Sequence, residues 1–269
     1  MHGLHEIEVG TVRLRLVKVA SGYVARAFEG SRIVLTLEGS DPDRLWTELQ
    51  VQVERLLPGW FGYAGARARF LHWFADGFAS QAYLADERLP KLAARDMLLE
   101  LAPLDQAVTG SGYAGSVLRV FQKENLLYPI EKAKLGDLLR GPDGDSFVRA
   151  AARFARGDGA PALQALDNLL RPHGIASWTV VTYLPFLWRP DTHMFLKPEV
   201  TRDFARRVNH RLARTYSAEL KPPVYADLID LAGEIRQSVL DLGPRDMIDV
   251  QGVLMVVQHY QTANAQPRP

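Results

Sequence analysis

The feature that most constrains this chain is a change in hydrophobic period near residue 60. Before it, Val12, Leu14 and Leu16 alternate with Arg13 and Arg15. A Ser21-Gly22 turn leads into Tyr23 to Phe28, and Ile33, Leu35 and Leu37 alternate again. A period of two puts every second side chain on one face of a strand, so Val12 to Glu38 is expected to form a three-stranded antiparallel meander. Its apolar face needs a cover. Ser40 and Asp41 read as a helix cap, Pro42 suits a first turn, and Leu45, Leu49, Val53 and Leu56 recur at helical spacing until Pro58-Gly59.

From Trp60 onward the period is helical, and Gly and Pro supply the punctuation. Helices are expected over Ala64–Phe74, Pro90–Leu101, Gly115–Gln122, Asp145–Arg156, Pro161–Leu170, Pro198–Ala213, Val224–Leu242 and Arg245–Tyr260. Pro161, Pro198 and Pro244 stand at first-turn positions, and Gly243 stands where a helix stops. The fold class is therefore α+β: a small N-terminal antiparallel sheet plus one helix, packed on a larger, mainly α-helical body. The units divide as residues 1–59 and 60–262, with the polar residues 263–269 as a frayed tail.

The absence of cysteine excludes disulfides, thiolate metal sites and cysteine nucleophiles, so any metal would rest on His and carboxylates. The first ten residues hold His2, His5, Glu6 and Glu8 and no apolar run. The longest apolar stretch, Trp178 to Trp188, is interrupted by Pro185 and falls short of the ~20 residues of a membrane span. A cytoplasmic protein with no membrane partner and no cofactor is expected. Lys and Arg number 32 against 31 Asp and Glu, so any nucleic-acid surface must be local.

The strongest local concentration of charge is Arg202, Arg206, Arg207, Arg211 and Arg214, interrupted by Asp203, with Val200, Phe204, Val208 and Leu212 on the inward side. It reads either as an ion-paired solvated face or as a surface for phosphates. Gly110 to Gly115 spells the GxGxxG of dinucleotide sites, but no strand precedes it and no ribose-binding acid follows, so a glycine turn opening a helix is expected. His173, Asp191 and His193 offer metal-ligand chemistry or simple loop capping. Gly141 to Asp145 lacks the closing glutamate of a calcium loop. Arg245, Asp246 and Asp249 suit the start of a helix. The aromatic residues Trp60, Phe61, Phe70, Trp73, Phe74 and Phe78, beside Arg67, Arg69 and His72, are either core or a base-stacking set.

The segment Leu169-Leu170-Arg171-Pro172-His173-Gly174-Ile175-Ala176-Ser177-Trp178-Thr179-Val180-Val181 resembles the hairpin and following helix of helix-hairpin-helix DNA glycosylases. Arg189-Pro190-Asp191 and Met194-Phe195-Leu196 continue the likeness, which stops near residue 200. It implies a DNA phosphate held by backbone N–H groups around Gly174, Ala176, Trp178 and Thr179, with Glu199 or Asp191 as the catalytic carboxylate of a monofunctional glycosylase. The chain departs from that pattern in three ways. Ala176 replaces the second hairpin glycine, Trp178 stands where lyase-type members carry lysine, and Glu199 is about one residue out of register. Over residues 60–260 the chain also resembles an uncharacterised bacterial protein family, in Arg69-Phe70-Leu71-His72 with Gly77-Phe78, in Trp178 to Pro198 and in Pro244 to Gln251. That likeness implies a bacterial protein and transfers no activity. The expected function is nucleic-acid association, with DNA as partner and with Arg202, Arg206, Arg207 and Arg211 contacting phosphates. The alternative is a non-enzymatic interaction protein, a subunit of a bacterial assembly with a protein partner.

Overall fold

Four strands, one more than the alternation predicts, form the N-terminal sheet of the computed structural model, which describes residues 3–9, 12–53, 62–123 and 127–259. They are β1 (Gly3–Val9), β2 (Val12–Val19), β3 (Gly22–Glu29) and β4 (Arg32–Gly39), ordered β1-β2-β3-β4 and antiparallel throughout. The sequence hides β1 because its two glutamates and one histidine replace the β-branched and aromatic density that marks a strand. It still pairs in register, with Ile7 opposite Leu14 and Glu6 opposite Arg15.

One sheet face is apolar. Leu14, Leu16, Ala25 and Ala27 are fully buried beneath Leu45, Leu49 and Val53 of helix α1 (Pro42–Val53). Asp41 caps that helix, its Oδ1 accepting from the N–H groups of Asp43 and Arg44 at 3.1 Å each. The other face carries Arg15 directly opposite Arg26, a like-charge pairing that costs stability. Glu6 moderates it from 3.3 Å to Arg15 Nε.

The body comprises α2 (Gly62–Trp73), α3 (Leu89–Leu101), α4 (Ala114–Lys123), α5 (Pro129–Arg140), α6 (Gly144–Arg156), α7 (Gly159–Leu170), α8 (Trp178–Trp188), α9 (Pro198–Arg207), α10 (Pro222–Ser238) and α11 (Met247–His259). Helix α5 escapes the sequence reading because Pro129 and a mid-helix Gly136 look like loop punctuation. The helix expected over Pro198–Ala213 breaks after Arg207, where Asn209 adopts a left-handed φ of 56°, and a short turn at Leu212–Thr215 follows. Pro58, Gly59, Trp60, Phe61, Tyr260 and the tail at 263–269 lie outside the described residues.

Helix α8 is the axis of the body, since all eleven of its side chains are buried. A helix apolar on every side must be surrounded, and the rest of the helical core closes on it. The aromatic set near α2 is core as well. Phe70, Phe74 and Phe78 are buried around Tyr83, with ring centroids 5.6, 5.5 and 5.4 Å from it.

The start of α11 is tied to the middle of the chain by a buried ionic network. The Asp249 carboxylate, fully buried, accepts from Tyr83 Oη at 2.8 Å, Arg88 Nη1 at 2.9 Å and Arg245 Nε at 2.7 Å. Arg88 also grips both carboxylate oxygens of Asp246 at 2.8 Å. Burial pushes the Asp249 carboxyl upward, but the bonds from Arg245, Tyr83 and Arg88 outweigh it and hold the group below the ordinary range. Removing one partner leaves an uncompensated charge inside the protein. Asp249→Ala is therefore expected to cost about 3–5 kcal/mol in urea unfolding. Asp246→Ala, on the more accessible side, is expected to cost clearly less. Because the folded-state pKa of Asp249 is depressed, its contribution is present at neutral pH and lost as pH falls through that folded value.

Candidate nucleic-acid interface

Pro198 opens α9, and Val200, Thr201, Phe204 and Ala205 form its buried face. Glu199, Arg202, Asp203 and Arg206 are left toward solvent. The left-handed turn at Asn209 brings the Leu212–Thr215 segment back beside them, and the result is an open cleft of about 480 Å³ lined by Glu199, Arg202, Asp203, Arg206, Asn209, Ala213 and Arg214. The five arginines are not equivalent. Arg206 and Arg207 both donate to Asp203, Arg207 Nε at 2.7 Å. Arg211 donates to Asp227 at 2.6 Å and pairs with Asp230 at 3.0 Å; neither Arg207 nor Arg211 lines the cleft. Arg202 lies 3.8 Å from Glu199 and sits over the Tyr216 ring, 4.9 Å from its centroid. Among the described residues Arg214 bonds only to the Asn209 amide, at 3.3 Å. Arg202 and Arg214 thus hold the largest unspent donor capacity facing the cleft.

The glycosylase-like turn begins where α7 passes into the Arg171–His173 turn and closes at Gly174, whose φ of +63° suits glycine. Ile175 N–H donates back to the Leu170 carbonyl at 3.2 Å. Ser177 caps α8, accepting from Val180 N–H at 3.4 Å, and its hydroxyl donates to Glu131 at 2.6 Å. Trp178 and Thr179 are buried, so only their backbone N–H groups could meet a ligand; Ala176 is half-buried. Trp178 Nε1 donates to the Ser217 carbonyl at 2.7 Å, and its ring stacks on Tyr225. Glu131 already sets a carboxylate at this helix start, which makes the turn a weaker anion site than its sequence suggests.

Turn and cleft are linked through two neighbouring residues. Ser217, bonded to Trp178, follows Tyr216, which carries Arg202. Lys197, the residue before α9, places Nζ 5.9 Å from the Tyr128 ring centroid at the start of α5, the helix that also supplies Glu131 and Lys134. Tyr128 and Lys197 gave no sequence signal because they lie far apart along the chain, and Asn209 gave none because it sits within an expected helix.

The two candidate carboxylates do not converge. Glu199 lines the cleft with a side chain 79% exposed. Asp191 lies outside it, chelated by Arg189 at 3.1 and 2.9 Å, and that bond pulls its carboxyl below the usual range. The metal set of His173, Asp191 and His193 does not assemble either. His193 Nε2 faces the Ala155 carbonyl at 3.2 Å and Nδ1 faces Tyr225 Oη at 2.8 Å, while His173 sits near the surface against Asp143. A different trio, His210, Asp230 and Glu234, brings its ligand atoms within 4.8 Å of one another. There His210 Nδ1 accepts the Leu212 N–H at 3.1 Å, so Nε2 carries the proton and points it at Asp230, 3.2 Å away, and Arg211 holds the same carboxylate. The lone pair a cation needs is spent inside the protein.

The GxGxxG segment is occupied from within. Asp145 accepts from the N–H groups of Gly112 at 2.7 Å and of Tyr113 and Ala114 at 3.0 Å, standing where a phosphate would lie, and these bonds lower its pKa. Asp145 therefore belongs to the cap of α4, beside its own place in the first turn of α6.

No family model, no curated protein and no solved structure matches the chain.

Two measurements check these assignments. Asp145→Ala is expected to lower unfolding stability by about 2 kcal/mol, the upper range for a lost helix cap. Burial drives His193 down to about 4, so the folded state resists a proton that the unfolded state binds below its ordinary value. Stability from this group is complete at neutral pH and falls as pH drops toward that value. Between pH 7 and 5 the wild type is expected to lose about 2 kcal/mol more than His193→Gln in matched urea titrations.

Proposed function

We propose that this protein associates with nucleic acid, holding phosphates in the cleft between α9 and the Leu212–Thr215 turn. The observation that carries the reading is the pair Arg202 and Arg214, two guanidinium groups with unspent donors lining one open cleft beside Arg206 and the Asn209 amide. Such groups bind phosphate by charge and by paired N–H donors. The turn at Gly174 to Thr179, linked to the cleft through Ser217 and Tyr216, adds the first amides of α8. Arg207 and Arg211, expected from the sequence to contact phosphates as well, lie outside the lining of this cleft. They fasten α9 and its following turn through Asp203, Asp227 and Asp230, and so shape the cleft without facing it.

The narrower reading, a monofunctional DNA glycosylase, is supported by the position of Glu199 in that cleft, where a carboxylate stabilises a cationic sugar or orients water. Asp191, held by Arg189 away from the cleft, does not share that position. In the competing interaction-protein reading, the same cleft receives acidic side chains of a protein partner.

Fluorescence anisotropy with labelled DNA across a salt series tests the proposal. Binding is expected to weaken steeply with salt, and Arg202→Ala/Arg214→Ala is expected to lower the slope of log affinity against log salt by about 1.5 to 2, as for two lost phosphate contacts. Absence of binding at low salt would sink the proposal and leave the protein-partner reading. If base excision is the reaction, release of a damaged base from DNA should disappear in Glu199→Gln while DNA affinity is retained.

A further inference from the structure

The start of α5 carries apolar surface that the fold does not use. Ile130 is 71% exposed, the highest value among the exposed large hydrophobics of the described residues, and Tyr128, two positions earlier, is 46% exposed. The Tyr128 hydroxyl makes no hydrogen bond among the described residues, and its ring does not join the core. Nearly half of the Tyr128 surface is therefore open to solvent, and an exposed aromatic of this kind is available to a partner. Two contacts fix its surroundings. Lys197 Nζ lies over one face of the ring, 5.9 Å from its centroid, so the opposite face is the one left for stacking, and Lys197 immediately precedes the helix that carries Glu199, Arg202 and Arg206 of the cleft. Glu131, three residues after Tyr128, accepts from the Tyr128 N–H at 3.4 Å and from the Ser177 hydroxyl at 2.6 Å, which anchors the start of α5 against the turn leading into α8.

We infer that Tyr128 is a stacking platform for an unpaired base of the strand whose phosphates occupy the arginine cleft, with Lys197 beside it as a further phosphate contact. The inference rests on the phosphate-binding reading and names its substrate class: nucleic acid with accessible, unpaired bases. A tyrosine ring presents a π-face to any base, whereas a duplex keeps those faces stacked on one another. Cations along the backbone with an exposed aromatic at their end are the arrangement that single strands select. Ile130, on the same first turn, offers apolar surface for a neighbouring base or sugar.

The test compares a labelled single-stranded oligodeoxynucleotide with its duplex at one salt concentration, using wild type, Tyr128→Ala, Tyr128→Phe and Arg202→Ala/Arg214→Ala. Wild type is expected to prefer the single strand by about ten-fold, the scale of one base stacked on an aromatic ring. Tyr128→Ala should lose most of that preference with little change in duplex affinity, and Tyr128→Phe should keep it because the ring is retained. The arginine variant should weaken both substrates together. A Tyr128→Ala protein that binds DNA with an unchanged single-strand preference overturns the stacking role and leaves the phosphate cleft standing. A wild type that binds neither substrate overturns both.

Discussion

Everything in the helical body is arranged around the need to bury α8. Its segment, from Trp178 to Trp188, has no polar face to turn toward water, so it is stable only when enclosed. Its neighbours supply that enclosure with apolar stripes. Its Thr182 hydroxyl is answered internally, donating to the Trp178 carbonyl at 2.6 Å and accepting the Leu196 N–H at 3.0 Å. A buried rod can reach the surface only at its ends. The turn through Gly174 and Ser177 is one such end, where the first backbone N–H groups of the helix come near the surface.

The charges are sorted by the same geometry. Asp203 pairs with two arginines of its own helix and balances the charge of one, and Asp227 and Asp230 share Arg211. Near-neutral overall composition is thereby compatible with a local surplus, because pairing is uneven: Arg214 is left with an amide while its neighbours are left with acids. Exposed ion pairs contribute little to stability, so those around the cleft are better understood as fixing side-chain positions than as holding the protein together. The network around Asp249 is of the other kind, since a buried carboxylate there leaves no tolerance for losing a partner.

Much of this architecture was legible in the sequence. Alternation along Leu14 to Leu37 and the helical recurrence of Leu45, Leu49 and Val53 specify a sheet with its cover, because burial on one face imposes a period. Legibility failed where a single residue acts against its surroundings. Asn209 ends a helix whose apolar spacing continues to Leu212, and Pro129 opens a helix whose mid-point Gly136 breaks the expected helical pattern. The site was legible by composition and opaque by pairing. The run of arginines announces positive charge, but only the fold shows that Arg207 and Arg211 are spent, that Trp178 is core and that Asp145 fills the glycine fingerprint. Tyr128 and Lys197 could not have been found, since nothing in a linear pattern brings residues so far apart to one surface.

The network at Asp249 also has a meaning in time. Arg88 meets Asp246 and Asp249 across separations of 158 and 161 residues. On a growing chain, Arg88 and Tyr83 leave the ribosome long before the acids that make their burial tolerable, and no nearer segment supplies those acids. The aromatic residues around Tyr83 are close in sequence, but the ionic network beside them is completed only once α11 is synthesised, so closure of this part of the body depends on the end of the chain.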